Sequence, residues 1–223
     1  MPAAKLSTAE ENYLKAIFKL SQHDIAPVSN NAISQEMQTS AASVTDMITR
    51  LFKKKLINYQ KHKGVRLTDK GMTIATHLVR KHRLWETFLV EKLQFNWDEV
   101  HEIAEQLEHI QSPILVERLD DFLGHPRFDP HGDPIPDAEG QIVLRPRIAL
   151  SELEQGQPAV IVGVQDHTSE FLQYLDRTGL LLGVEIEITE RFAYDNSLAL
   201  QLSTGEKQLV SQKVGQNLYV QLK

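Results

Sequence analysis

Four residues in the stretch VHEIAEQLEHI have the types and the spacing to hold a metal ion: His101, Glu105, Glu108 and His109. On an α-helix, at about 100° per residue, they fall within an arc of about 100°. One helix face would then carry two imidazoles and two carboxylates. His82 and Glu86, in KHRLWE, have the i, i+4 spacing that also places both on one face. Clustered carboxylates repel one another and are costly to desolvate, and imidazoles add ring nitrogens that need partners. A divalent cation relieves both penalties. A solvated polar face accounts for any one of these residues, but poorly for all of them on two facing helices.

The elements that must position these groups can be read along the chain. Ser7 followed by Glu10 is a capping box, and Tyr13, Leu14, Ile17, Phe18 and Leu20 give a helical apolar stripe from Ser7 to Leu20. A short helix is expected from Ser29 to Met37. After the small polar turn QTSAAS, a third helix is expected from Ala41 to Lys54, with Val44, Met47, Ile48 and Leu51 facing inward. LINYQKHKGVRLT alternates about a glycine turn and reads as a hairpin tipped by Lys61, His62, Lys63 and Gly64. Two short helices, a tight turn and a basic hairpin describe a winged helix-turn-helix.

A long helix from Asp69 to about Glu91 carries the His82–Glu86 pair. A further helix, from Asp98 through Leu107 and onward, carries the four-residue cluster, and another starts at Pro113. Residues 125–140, HPRFDPHGDPIPDAEG, are too rich in Pro and Gly for a regular element and read as a loop or linker. Beyond Arg147 the pattern changes to short strands, AVIVGV, EIEITERF, SLALQL and LYVQL, with FLQYLDRTGLLLG as a short helix between them. That pattern suggests a small SH3-type β-barrel. The expected fold is mainly α with a small β part. Its division is a winged helix-turn-helix at 1–72, a helical domain carrying the metal-ligand candidates at 73–144, to which the resemblance described below adds dimerisation, and an SH3-like barrel at 145–223.

Composition narrows the function classes. The chain has 223 residues and no cysteine, which removes disulfides, zinc-thiolate sites and thiol chemistry and fits a reducing cytoplasm. No apolar leader is visible at the N-terminus, and no apolar run is long enough to span a membrane. The net charge of −6 hides an asymmetry: residues 1–80 hold 12 Lys and Arg against 6 Asp and Glu, and residues 81–223 hold 12 against 24. A basic module on an acidic body suggests a polyanion-binding end.

On a winged helix-turn-helix the second helix of the motif enters the major groove by its N-terminal residues, here Ser40, Ala41, Ala42, Ser43 and Thr45, with Asp46 beside them. Ser and Thr hydroxyls reach bases or phosphates, and Ala can touch a thymine methyl. Arg50, Lys53, Lys54 and Lys55, with Lys61, Lys63 and Arg66 near the wing, would bind phosphates without reading sequence.

The order of these parts resembles the diphtheria-toxin-repressor family of metal-dependent transcriptional regulators, including its manganese branch. The resemblance spans essentially the whole chain and is most specific in ENYLKAIFKL, SVTDMITRL, RKHRLWE, VHEIAEQLEH and HPRFDPHGDPIP. It implies a primary metal site at Asn12, Glu105, Glu108 and His109, and an ancillary site at His82, Glu86 and His101. Members whose barrel is of the FeoA-like type take further ligands from it, which here points to His167 and Glu170, with Asp166 as a near neighbour. Asn12 stands where iron-responsive members have Met and many manganese-responsive ones have Asp. Glu105 stands where iron-responsive members have Cys, and Lys15 stands where some manganese-responsive members place a Glu ligand. Carboxylate, carboxamide and imidazole ligands without sulfur suit Mn²⁺, with Fe²⁺ as the alternative.

The resemblance implies a homodimeric, cytoplasmic repressor of metal-uptake genes. It would bind a double-stranded DNA operator when loaded with metal, with no membrane and no small-molecule substrate as partners. Two other readings share the residues. One is a Mn²⁺ or Zn²⁺ metalloenzyme, which lacks any HExxH motif, nucleophile elbow or phosphate loop to support it. The other is a DNA-binding protein whose His/Glu cluster is only structural.

Overall fold

Ser7 opens the first helix, α1 (Thr8–Ser21), through the capping box expected from the sequence. Its N–H donates to Glu10 Oε2 at 2.9 Å, and its Oγ accepts from the Glu10 N–H at 3.3 Å. Helices α2 (Asn30–Glu36) and α3 (Ala41–Lys53) follow, capped by Ser29 and Ser40, whose side chains accept from the N–H groups of Ala32 and Ser43. Strands β1 (Ile57–Gln60) and β2 (Gly64–Leu67) pair antiparallel from Ile57↔Leu67 to Gln60↔Gly64. This is the winged helix-turn-helix. Its core is Leu14, Ile17, Ile33, Val44, Ile48, Leu51, Ile57 and Val65, each at most 1% exposed. Burying each such side chain contributes about 1.5–3 kcal/mol.

The structure is a computed structural model that describes residues 6–21, 27–60 and 63–223. Lys61 and His62 at the wing tip lie outside the described residues. The chain separates into two compact units. The first comprises residues 1–82, 106–113 and 136–142, and the second residues 83–105, 114–135 and 143–223. The long helix α4 (Asp69–Leu93) contributes to both.

Helix α5 spans His101–Leu107 and α6 spans Pro113–Leu123. The expected helix ran from Asp98 past Leu107, with all four ligand candidates on one face. In the structure Glu108 and His109 instead lie in the turn after α5. There the Ile110 N–H donates to the Leu107 carbonyl at 3.1 Å, an i→i+3 closure that tightens the last turn. Pro113 then opens α6 and disfavours helical backbone at Ser112, so the two helices cannot merge.

Residues 125–140 hold no regular element, as their composition required, yet much of the segment is packed. Asp129, His131 and Ile135 are buried, and Ile135 sits in a small core with Leu84 and Leu119.

The C-terminal module is an antiparallel SH3-like sheet in the order β3-β8-β4-β5-β6-β7. It is built from β3 (Ile148–Ala149), β4 (Pro158–Val164), β5 (Glu185–Arg191), β6 (Leu198–Leu202), β7 (Lys207–Val210) and β8 (Leu218–Leu222). Helix α7 (Ser169–Thr178) ends at Gly179, whose φ of 69° supplies the left-handed cap. Leu150, Ile161, Leu172, Leu175, Ile188, Leu198, Leu218 and Val220 fill its core. The sequence pattern did not reveal β3, β7 or the short helix α8 (Gln212–Asn217). Each is too short to show a period, and β7 exposes an apolar residue, Leu209, beside Lys207.

Candidate metal centre

Glu86 of α4 meets Asp129 and His131 of the 125–136 loop. Their ligand atoms all lie within 4.8 Å of one another, and all three residues are buried. The loop is held in shape by Asp129, whose Oδ1 accepts from the N–H groups of His131 and Asp133, both at 2.9 Å. Gly132 has φ 86°, and a Cβ there would come 2.1 Å from the Val162 carbonyl oxygen, so only glycine lets the loop lie this close to β4. The His131 carbonyl accepts from the Val164 N–H at 3.0 Å, which fastens the loop to that strand. Arg83 braces the other side. Its Nε lies 3.4 Å from Asp129 Oδ2 and its Nη2 lies 3.2 Å from Asp133 Oδ2.

The electrostatics of this cluster ask for a cation. Burial, with Glu86 and Asp133 nearby, pushes the Asp129 carboxyl up to about 7. Burial alone would push the His131 imidazole down, but the carboxylates of Glu86 and Asp129 outweigh it and push it up to about 9. Glu86 Oε2 is 3.8 Å from His131 Nδ1, an attraction beyond hydrogen-bond reach. His131 Nδ1 is a buried nitrogen without a hydrogen-bond partner among the described residues. Its Nε2 faces the Trp97 carbonyl at 2.8 Å. Two carboxylates and an available imidazole nitrogen fit a divalent ion that prefers oxygen and nitrogen. His101 Nδ1 stands 3.2 Å from Glu86 Oε1, and the His167 ring stacks on His131 at 4.9 Å between centroids. Of the three barrel candidates, His167 is therefore beside the cluster. Asp166 accepts from the Thr168 N–H at 2.9 Å, and Glu170 is exposed on the first turn of α7.

The other expected site is organised differently. Glu108 is fully buried, and Lys15 Nζ of α1 donates to both of its oxygens, at 2.8 and 3.0 Å. His82 and Glu86 share one face of α4, as their spacing required. His82 Nδ1, however, lies 2.6 Å from Glu108 Oε2. His82 thus also pairs with a member of the expected primary set. His109 Nδ1 lies 2.6 Å from Glu11 Oε2, and Gln111 donates to Glu11 Oε1 at 3.0 Å. Asn12 Oδ1 is buried without a hydrogen-bond partner among the described residues. Glu105 is half-buried on α5.

Comparison with known proteins bears on what these sites serve. Residues 5–65 match the N-terminal DNA binding domain of iron dependent repressors, residues 68–137 match their metal binding and dimerisation domain, and residues 148–222 match the FeoA domain. The iron-dependent repressor IdeR of Mycobacterium bovis is 30% identical over 166 residues, 71% of each chain. The chain belongs to the diphtheria-toxin-repressor family. Its members are DNA-binding, metal-dependent transcriptional regulators and not enzymes, which sets the metalloenzyme reading aside. Among solved structures, a manganese-dependent transcriptional repressor in complex with manganese is 32% identical, covers 96% of this chain and 100% of its own, and superposes with a TM-score of 0.86. The manganese regulator SloR is 35% identical, with coverage of 96% and 98% and a TM-score of 0.75.

The candidates for DNA contact lie on the winged helix-turn-helix. Ser40, Ala41, Ala42, Ser43, Thr45, Asp46, Arg50, Lys53, Lys55, Lys63 and Arg66 are all exposed. Lys54 is spoken for: its Nζ lies 2.6 and 2.8 Å from the two oxygens of Glu10 on α1.

Sequence reasoning missed Asp129 and His131, because the loop was read for its prolines and glycines and not for its side chains. The signal was present: FDPHGDP alternates Asp129, His131 and Asp133 within five residues.

Proposed function

We propose that the chain is a manganese-responsive repressor whose metal is held by Glu86, Asp129 and His131, with His101 and His167 alongside. The observation that carries this reading is the buried trio itself, in a chain whose N-terminal module is a winged helix-turn-helix. When bound, the ion would take the place of the proton on His131 Nδ1 and add positive charge beside the two buried carboxylates. The ligands are oxygen and nitrogen only, and the chain has no cysteine, which favours Mn²⁺ over softer ions. Fe²⁺ accepts nearly the same donors and is the alternative. Of the remaining candidates, the dimer, the cytoplasmic location, the operator and the metal-uptake targets belong to the same reading.

The trio draws together α4, the 125–136 loop and β4. Metal affects DNA binding only so far as it binds the DNA-competent arrangement more tightly than the other. A coupling of about 1–3 kcal/mol corresponds to a change in DNA affinity of about 5–150-fold. A mobility shift of a selected operator with EDTA-treated and Mn²⁺-loaded protein tests this, with Glu86→Gln and Asp129→Asn as controls. Equal binding with and without metal, or full Mn²⁺ activation in both variants, sinks the reading.

A further inference from the structure

In the first unit the Lys15 ammonium stands on Glu108, one of the expected metal ligands. The ammonium bridges both oxygens of Glu108, the Lys15 side chain is 17% exposed, and Glu108 is 0% exposed. An ammonium is a compact positive charge with three donors. Here it bonds both oxygens of a carboxylate that has no access to water. The remaining groups are engaged as well: His82 Nδ1 holds Glu108 Oε2, and His109 and Gln111 hold the two oxygens of Glu11. Glu11, Asn12 and Lys15 sit at i, i+1 and i+4 on α1, so Glu11 and Lys15 share one face of that helix.

A divalent ion entering this site would have to evict the Lys15 ammonium from Glu108 or lie beside it, like charge against like, in a buried setting. Within the first unit the expected donor left without a hydrogen-bond partner among the described residues is Asn12 Oδ1, a buried carbonyl oxygen with no charge. One neutral oxygen does not hold a divalent ion against that repulsion.

We propose that Lys15 is a built-in cation that replaces a metal ion at this site. It fastens α1 to the 106–113 turn permanently and leaves the chain with one divalent ion, not two. The inference rests on the reading above only for where that one ion lies. Its consequence is a single-site response, in which the tether from α1 to Glu108 is present whether or not metal is bound.

The test counts metal on the full-length chain by Mn²⁺ calorimetry and by elemental analysis after gel filtration. The variants are Lys15→Met, Lys15→Glu, Glu108→Gln and Asp129→Asn. The wild type is expected to bind one Mn²⁺ per chain, retained in Glu108→Gln and lost in Asp129→Asn. Lys15→Glu, which swaps the cation for a carboxylate, is expected to bind a second ion. Lys15→Met strands the buried Glu108 carboxylate and is expected to lower the Tm of the metal-free protein. Two ions on the wild type, one of them lost in Glu108→Gln, overturn the proposal even if no Lys15 variant folds. A single ion lost in Glu108→Gln and kept in Asp129→Asn overturns it together with the assignment of the metal. A single ion kept in both supports the role of Lys15 and overturns only the location of the metal.

Discussion

The Nε2 of His131 lies 2.8 Å from the carbonyl oxygen of Trp97. A carbonyl only accepts, so that ring nitrogen carries the hydrogen, and Nδ1 is the one turned toward Glu86 and Asp129. One backbone contact thus chooses which nitrogen is offered to a metal and fixes the ring's orientation.

Metal binding at this trio would displace protons. His131 is pushed up to about 9, and Asp129 is pushed up to about 7 by burial and its carboxylate neighbours, so near neutrality His131 holds its proton and Asp129 is partly protonated in the metal-free protein. Mn²⁺ binding is therefore expected to release protons and to tighten as pH rises from about 6 to 8. Calorimetry in two buffers of different ionisation enthalpy measures the release. A heat that does not depend on the buffer would remove these two residues from the site.

Gly132 is expected to tolerate no side chain. At φ 86°, with the Val162 carbonyl oxygen 2.1 Å from where an alanine methyl would stand, Gly132→Ala must lift the loop off β4. Left-handed strain alone costs about 1–3 kcal/mol, and the clash adds to it. The variant should lose most of the rise in Tm that Mn²⁺ gives the wild type, while binding non-specific DNA normally. An unchanged metal-induced rise would show that the seating of the loop does not matter to the site.

Neighbouring lysines at the end of α3 should behave differently. Lys53 is exposed, whereas Lys54 is ion-paired with Glu10. Lys53→Ala is expected to weaken DNA binding for all sequences and to flatten the salt dependence by about one phosphate contact. Lys54→Ala should leave that slope unchanged and lower stability instead. Equal changes in slope would place both on the phosphate backbone.

Glu10 carries a pH signature of that pair. Burial would raise its carboxyl, but Lys54 and the Ser7 N–H outweigh it and hold it below its ordinary value of 4.5. A lowered folded value means stabilisation that is complete above 4.5 and is lost as pH falls through the lowered value. At pH 7, Glu10→Gln is expected to cost about 1 kcal/mol in denaturant unfolding. The gap to wild type should close on acidification toward pH 3. A gap that stays constant with pH would show that the ionised carboxylate is not what stabilises α1.

Local order was legible in the chain. The capping box at Ser7 and Glu10, the caps at Ser29 and Ser40, the stripes of α1 and α3 and the wing pairing all depend on residues a few positions apart, whose relation the backbone geometry dictates. So were the types of residue that bind metal, and the basic winged module that goes with them. Partnership was not legible. Lys15 meets Glu108 across 93 positions, and His131 meets Glu86 across 45. Spacing on one helix grouped His101, Glu105, Glu108 and His109, but the turn at Glu108 and the packing of two other segments divided them. Glu108 went to a lysine on α1, while Glu86 acquired two partners from a loop that had no periodicity to announce them. Such pairings are set by which surfaces pack in three dimensions and by the cost of leaving a buried charge alone, and neither has a period along the chain.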